Sequence, residues 1–352
     1  MKRIGVIGGG PAGLTAAIAA AKTGLEVTLW EANEIDKHIN CAEGYFDILD
    51  NFPPPVEGRK HKVDNLIIQL GEEFELDTSQ LNLWMLDREE WQYSLKKKAE
   101  KMGVLIYEDE MIQKDQLEFL KSDFNWILDA SGTPSVTSLY YDFRNVYLQN
   151  ALIGVQYKLK GDFSDYYPGL KAVILENEWG YAWIFPKSKQ IANVGIGLFN
   201  EKGVNLSGRS LFARLNNFLK REKIEAEIIE KAGGICPGSL VESPVIDNII
   251  LIGDAAGLTS PLHGGGIELA RLSARLAVKA IKEKNINYYP QYLKNKIKEK
   301  QNIENNLSHL WKNLDRSNLK KLVSFLSHSQ VERSKLVEQI ALFKKIGKWK
   351  VM

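Results

Sequence analysis

Apolar and polar positions recur along the chain with two periods, and their order predicts an α/β fold. Ile4 to Ile7 form a short apolar run broken at once by Gly8-Gly9-Gly10-Pro11-Ala12-Gly13, and Leu14 to Ala21 is alanine-rich. The first reads as a buried strand and the second as a helix. Gly24 closes that helix, and Glu26 to Trp30 give a second strand with Glu31 at its tip. Beyond this opening unit, another buried strand is expected at Ile249 to Ile252, followed by a helix over Ile267 to Ile281. Between them, the runs Ala151 to Leu159 and Lys171 to Leu175 predict an inserted antiparallel sheet. In the stretch Gly180 to Lys187 the period of two sets Tyr181, Trp183 and Phe185 on one face and Ala182 and Ile184 on the other. The expected organisation is a discontinuous Rossmann-type domain (1–55, 85–145 and 233–285), a substrate domain (56–84 and 146–232) and a helical C-terminal segment (286–352).

Composition narrows the class. With 44% hydrophobic and 26% charged residues over 352 positions, the chain is expected to fold into two joined domains and not to be largely disordered. The apolar start breaks into glycines too early for a signal peptide, and no run reaches the roughly 18 apolar residues of a membrane span. Two cysteines, Cys41 and Cys236, are too few for a disulfide scaffold, so a reducing cytoplasm is the expected location. The net charge is only +2, yet residues 291–352 carry fourteen Lys/Arg against five Asp/Glu. That basic segment suits a solvated helical face, an acidic partner or anionic lipid, and no recognition module for nucleic acid accompanies it. No metal site is expected.

The glycine turn carries the first chemistry. Gly8 permits a tight turn, Gly10 lets backbone approach a pyrophosphate, and Gly13 lets the helix pack on the strand. The helix that starts at Pro11, which has no N–H of its own, offers free N–H groups from Ala12 onward to an anion. Glu31, followed by Ala32, can accept both ribose hydroxyls and disfavours a 2′-phosphate. These residues predict a dinucleotide without choosing between NAD and FAD.

The choice comes from Gly253-Asp254-Ala255-Ala256-Gly257, continued through Pro261 to His263-Gly264-Gly265-Gly266 and the helix that opens at Ile267. This segment resembles the FAD-dependent oxidoreductases of the hydroxybenzoate-hydroxylase type. The resemblance implies FAD, with Asp254 on its ribityl chain and Gly264, Gly265, Gly266 and Ile267 against the flavin pyrimidine edge. It also implies that Arg88 contacts the phosphates. Trp126 to Gly132 resembles the strand ending in an Asp-Gly signature, interrupted here by Ser131. It adds Gly132 to the cofactor set and leaves Asp129 either a cofactor ligand or a surface ion pair.

Tyr181-x-Trp183-x-Phe185-Pro186-Lys187, with Gly195-x-Gly197 after it, looks like the signature of the geranylgeranyl reductase family. That likeness implies an aromatic tunnel for a polyprenyl chain, lined by these residues, with His263 nearby as proton donor or helix cap. Cys41-Ala42-Glu43-Gly44 resembles the family's Cys-Gly-Glu-Gly motif, with Ala42 in place of the first glycine. It implies a catalytic loop of Cys41, Glu43 and Gly44 in which Cys41 assists reduction; a buried inert thiol is the alternative. Gly233 to Gly238 reads as a turn-rich connection that could bring Cys236 near Cys41. The implied activity is FAD-dependent saturation of double bonds in a geranylgeranyl group of an isoprenoid lipid or diphosphate. A flavin monooxygenase or halogenase, an electron-transfer flavoprotein to quinone and a non-enzymatic lipid carrier remain alternatives. No second glycine fingerprint is visible, so electrons are expected from a ferredoxin-like protein or NAD(P)H, and the basic segment could hold the protein peripherally on a membrane.

Overall fold

The computed structural model describes residues 2–47, 52–200 and 206–327; the part of the basic segment at 328–352 lies outside them. In chain order, β1 (Arg3–Ile7), α1 (Pro11–Ala21) and β2 (Glu26–Trp30) are followed by β3 (Gly44–Phe46), β4 (Arg59–Lys62), β5 (Asn65–Gln69), β6 (Glu73–Asp77) and β7 (Leu83–Leu86). Then come α2 (Arg88–Lys101), β8 (Leu105–Tyr107), α3 (Leu117–Asp123), β9 (Trp126–Asp129) and α4 (Val136–Tyr140). The middle of the chain forms β10 (Leu152–Gly161), β11 (Leu170–Ile174), β12 (Gly180–Pro186), β13 (Ile191–Phe199), α5 (Gly208–Arg221) and β14 (Ala226–Cys236). The return consists of β15 (Val245–Ile246), β16 (Ile249–Leu251), α6 (Ile267–Lys282), α7 (Tyr289–Asn313) and α8 (Arg316–Ser327).

Three sheets result. The first runs β15-β16-β9-β1-β2-β8, parallel except for the β15 edge. Its strands are apolar on both faces, as buried parallel strands must be, and α1 and α6 pack together over it through Leu14, Ala17, Ala274 and Ala277. The second runs β14-β10-β13-β12-β11-β5-β6. It was expected to be antiparallel throughout, but β11 and β5 pair in parallel, Leu170 opposite Leu66. The β5–β6 hairpin arrives from far upstream and joins the existing edge, so no tight turn dictates its direction. The third sheet is β3-β7-β4, whose strands flank the β5–β6 hairpin of the second along the chain.

One strand differs from its sequence reading. β14 continues through Gly233 and Gly234 to Cys236, which pairs with Leu152, so residues 233–236 are strand and not turn. At Gly233 the reason is proximity, since a Cβ there would lie 3.2 Å from the Gly154 carbonyl oxygen, whereas nothing lies within 4 Å of the Cβ position at Gly234. Behind the second sheet, α5 buries Leu211, Leu215 and Phe218 against Val155, Tyr157, Ile184 and Val194. At the far end, α7 and α8 close over the sheet through Ile303, Leu310, Leu319 and Leu322, which meet Leu70. Among the described residues, no helix is long and apolar enough to cross a membrane.

Candidate active site

The glycine turn after β1 closes only because of what it lacks. Gly8 has φ +102°, and a Cβ there would stand 2.3 Å from the Ala130 oxygen; at Gly13 it would stand 1.8 Å from the Gly8 oxygen. Gly10 and Gly132 are the opposite case, since nothing lies within 4 Å of the Cβ position at either. Gly10 is also the N-cap of α1, with Pro11 in the first turn and no side chain capping it, so the first-turn N–H groups are left available to an anion. Glu31 is held at the mouth, where one carboxylate oxygen accepts from Gly9 N–H at 2.6 Å and the other from Asn33 N–H at 3.2 Å; Ala32 lies in the bend between them.

Arg88 begins α2 behind the N-cap Asp87, and Nη2 donates to Gln92 while Nε is buried without a partner among the described residues. Asp254 lies on the short turn Gly253–Ala256; burial pushes its carboxyl up to about 6, opposed by Arg88. Gly253 itself is a packing position, 2.9 Å from the Ala12 methyl if a Cβ is added. The turn carrying Pro261 leads to Gly264 at φ +72°, to Gly265, and to Gly266, the N-cap of α6 without a side-chain cap, and Ile267 is the first, buried residue of that helix. Two uncapped helix starts, open glycine positions, a buried arginine N–H without a partner among the described residues and a buried carboxyl fit FAD. α1 and Arg88 would take its pyrophosphate, Glu31 its ribose, and Asp254 with the start of α6 its flavin half. Asp129 is not a surface ion pair: it is fully buried and accepts from the backbone and hydroxyl of both Ser131 and Thr137, which makes it the brace of the β9 end.

The loop between β2 and β3 holds Cys41. Glu43 N–H donates to Cys41 Sγ at 3.3 Å, and Gln156 Nε2 donates to the Cys41 carbonyl at 2.8 Å. Glu43 adopts φ +66° and is buried. Its carboxylate accepts from Arg88 N–H at 2.8 Å, Asn193 Nδ2 at 2.8 Å and Lys187 Nζ at 2.9 Å. Lys187 also reaches Asp87 at 3.2 Å; burial opposes ionisation of Asp87, but Lys187 and the Glu90 N–H keep its carboxyl below the ordinary range. Lys187 and Glu43, expected at the substrate and in the chemistry, are therefore engaged with each other. They tie the ends of β12 and β13 to the start of α2 and frame the cysteine loop. Cys236 lies against Gly264, and burial pushes its thiol up, with Asp254 and then Cys41 adding to the effect. Both cysteines are free thiols.

Tyr181, Trp183 and Phe185 form one row, with ring centroids 5.7 and 6.4 Å apart. A Cβ at Gly44 would stand 3.8 Å from the Phe185 ring at one end, and the Trp311 ring of α7 lies 6.3 Å from that of Tyr181, centroid to centroid, at the other. Pro186 is buried at the close of β12. The Tyr181 hydroxyl donates to the His263 carbonyl at 2.7 Å, which joins the aromatic row to the glycine turn. His263 Nδ1 accepts from Gly265 N–H at 3.1 Å, and its Nε2 lies 3.4 Å from Glu304, the geometry of a residue that shapes the turn before α6. Burial alone would raise the Glu304 carboxyl, but His263 and Lys300 bring it down to about 2. Lys300 is buried between Glu304 at 2.6 Å and Glu268 at 2.9 Å.

Several residues around the row escaped sequence reasoning, although Gly195 and Gly197 belong to the signature read from the sequence. Gly154, Gly195 and Gly197 lie beneath or beside the row, and a Cβ at Gly195 would meet Trp183 at 2.2 Å. Asn193, Gln156 and Lys300 were not singled out either. The Gly195-x-Gly197 spacing was the one visible signal, because alternate glycines on a strand clear a single face.

Known proteins resemble the chain in sequence and in fold. The family model "Geranylgeranyl reductase catalytic domain" matches residues 152–236, and "FAD binding domain" matches residues 4–83. A digeranylgeranylglycerophospholipid reductase of Methanosarcina acetivorans is 28% identical over 311 residues, covering 79% of this chain and 74% of its own length. A geranylgeranyl bacteriochlorophyll reductase-like protein from Thermoplasma acidophilum superposes with a TM-score of 0.79 at 21% identity, over 98% of this chain and 97% of that one. A flavin-dependent halogenase shares the fold with a TM-score of 0.71 at 16% identity, over 98% and 78% of the two chains. The chain thus carries a match to the catalytic domain of geranylgeranyl reductases beside a match to an FAD-binding domain, and along most of its length it is similar to digeranylgeranylglycerophospholipid reductases.

Proposed function

We propose that the protein saturates carbon–carbon double bonds in the polyprenyl groups of an isoprenoid lipid, geranylgeranyl chains on a glycerophospholipid being the class its relatives' names indicate. The observation that carries this reading is the aromatic row of Tyr181, Trp183 and Phe185, which runs from the Cys41 loop to Trp311. A chain of methyls and double bonds offers no hydrogen bonds, and a wall of rings recognises it by contact alone.

Bound and reduced, FAD supplies the hydride. The remaining work falls to the protein. Isolated alkenes accept hydride poorly, so the row must hold one double bond in place and exclude water from it. Cys41 delivers the proton to the second alkene carbon, with Gln156 and the Glu43–Lys187–Asn193 knot fixing where that thiol stands. The start of α6, shaped by His263 and uncapped by any side chain, favours negative charge beside it. The electron donor is external, a ferredoxin-like protein or NAD(P)H. The basic residues beyond 290 suit an acidic carrier or an anionic membrane surface.

The test is anaerobic. With the flavin reduced chemically, digeranylgeranylglycerophospholipid and geranylgeranyl diphosphate should gain mass in steps of two hydrogens. Absence of any gain, or oxygen-dependent hydroxylation in its place, would overturn the reading.

A further inference from the structure

The face of the second sheet that carries the aromatic row changes character within two strands. Directly paired residues share a face of a sheet. One row across β14, β10, β13 and β12 reads Ala232, Gln156, Gly195, Trp183, and the next reads Glu230, Lys158, Asn193, Phe185. Rings at one end thus give way to amide and charge at the other. At the polar end a cleft opens beside Cys41, lined also by Glu89, Gln156, Lys158, Glu230 and Ala232, with a free volume of about 10 Å³, the room one water needs.

Gln156 is the second observation that points to an occupant. It is only 7% exposed, its Nε2 is engaged by the Cys41 carbonyl, and its Oε1 has no partner among the described residues. Buried amide oxygens are ordinarily satisfied by protein or by ordered water, and only water fits here. At the outer end Lys158 and Glu89 pair at 2.9 Å with side chains 20% and 37% exposed, so solvent reaches the mouth.

We propose that this cleft is a proton inlet to Cys41, an inference that rests on the reductase reading. As each double bond is reduced, the alkene takes a hydride at one carbon and the Cys41 proton at the other, which leaves a thiolate. The water held by Gln156 Oε1 returns a proton to the sulfur, and the hydroxide so formed is neutralised by a proton entering from solvent past Lys158 and Glu89. The aromatic side of the face stays dry, and the polar side supplies protons. This separation lets successive double bonds be reduced without opening the apolar chamber to water.

The test reads Cys41 directly in the FAD-loaded protein. Ala232→Met fills the cleft and should slow iodoacetamide alkylation of Cys41 about tenfold, because thiol reactivity follows access. In steady-state reduction the same variant should lower kcat with KM for the lipid unchanged and raise the solvent deuterium isotope effect on kcat. Lys158→Met, a change at the partly exposed mouth, should lower the ratio of iodoacetate to iodoacetamide reactivity severalfold, since the positive charge that draws the anionic reagent is gone. Wild-type alkylation and kcat in Ala232→Met, or an unchanged reagent ratio in Lys158→Met, overturns the inlet. Failure of the wild type to reduce any prenyl lipid overturns the reductase reading instead, and the alkylation rates still report whether solvent reaches Cys41 by this route.

Discussion

Trp183 occupies its position because residue 195 has no side chain. Replacing Gly195 with Val would thrust methyl groups into an indole that already stands 2.2 Å from the Cβ position. Overpacking of this kind costs about 1–3 kcal/mol. If that strain is relieved by displacing the ring, KM for the lipid should rise roughly tenfold, the equivalent of about 1.4 kcal/mol. FAD content should stay unchanged, and tryptophan emission would report the movement. An unaltered KM would remove Trp183 from the substrate wall. Asp254 makes a second prediction, in pH. Its folded carboxyl is raised to about 6 from 3.8, so the folded apoprotein binds a proton there that the unfolded chain has lost. Stability from this group is therefore present below pH 3.8, declines as pH rises through about 6, and is flat above. Asp254→Asn should abolish that decline, seen as the difference between variant and wild-type apoprotein melting across pH 4–7, and should weaken FAD binding. A parallel pair of pH profiles would contradict it.

At the scale of elements, α7 is joined to α6 by Lys300 between Glu268 and Glu304, all buried. A buried pair need not add net stability, yet removing one partner leaves charge uncompensated. Lys300→Met should cost about 3–5 kcal/mol in urea unfolding. A cost below about 1 kcal/mol, the scale of exposed pairs, would mean that water reaches the cluster. The same helix brings Trp311 to Tyr181 and Phe199, so a helix whose sequence offers only a basic amphipathic pattern closes the distal end of the aromatic row. Helix periodicity shows that such a segment packs on something but not on what. The strands were more legible. β1 and β2 occupy the residues read from the apolar runs, and α6 extends one residue past its expected end. β14 was misread after residue 232, because Gly-Gly ahead of Cys-Pro-Gly carries the composition of a turn while the tertiary requirement is close approach to β10.

For the molecule as a whole, the FAD cleft draws on Gly10 at the start of the chain, Arg88 after the first hairpins and Asp254 more than 240 residues beyond Gly10. A ligand that holds such distant segments together stabilises the folded state by mass action, by about 2.7 kcal/mol at one hundred times its dissociation constant. Stripping FAD should therefore lower the melting temperature by several degrees, and added FAD should restore it in a concentration-dependent way; a melting temperature indifferent to FAD would argue against this cleft as its site. The dinucleotide turn, its acid and the aromatic period were determined by sequence alone, because each depends on neighbours a few positions apart: a glycine too close to a carbonyl for any Cβ, or side chains alternating along one strand. Only the tertiary structure decided that Glu43 and Lys187 neutralise each other, that Asp129 is a buried brace, and that Gln156 presents beside Cys41 an oxygen with no partner among the described residues. The Glu43–Lys187 and Gln156–Cys41 pairings join residues 144 and 115 positions apart, and Asp129, though braced by near neighbours, is buried by the packing around it; a linear pattern of polarity cannot specify either, because burial and partnership are properties of the packed chain.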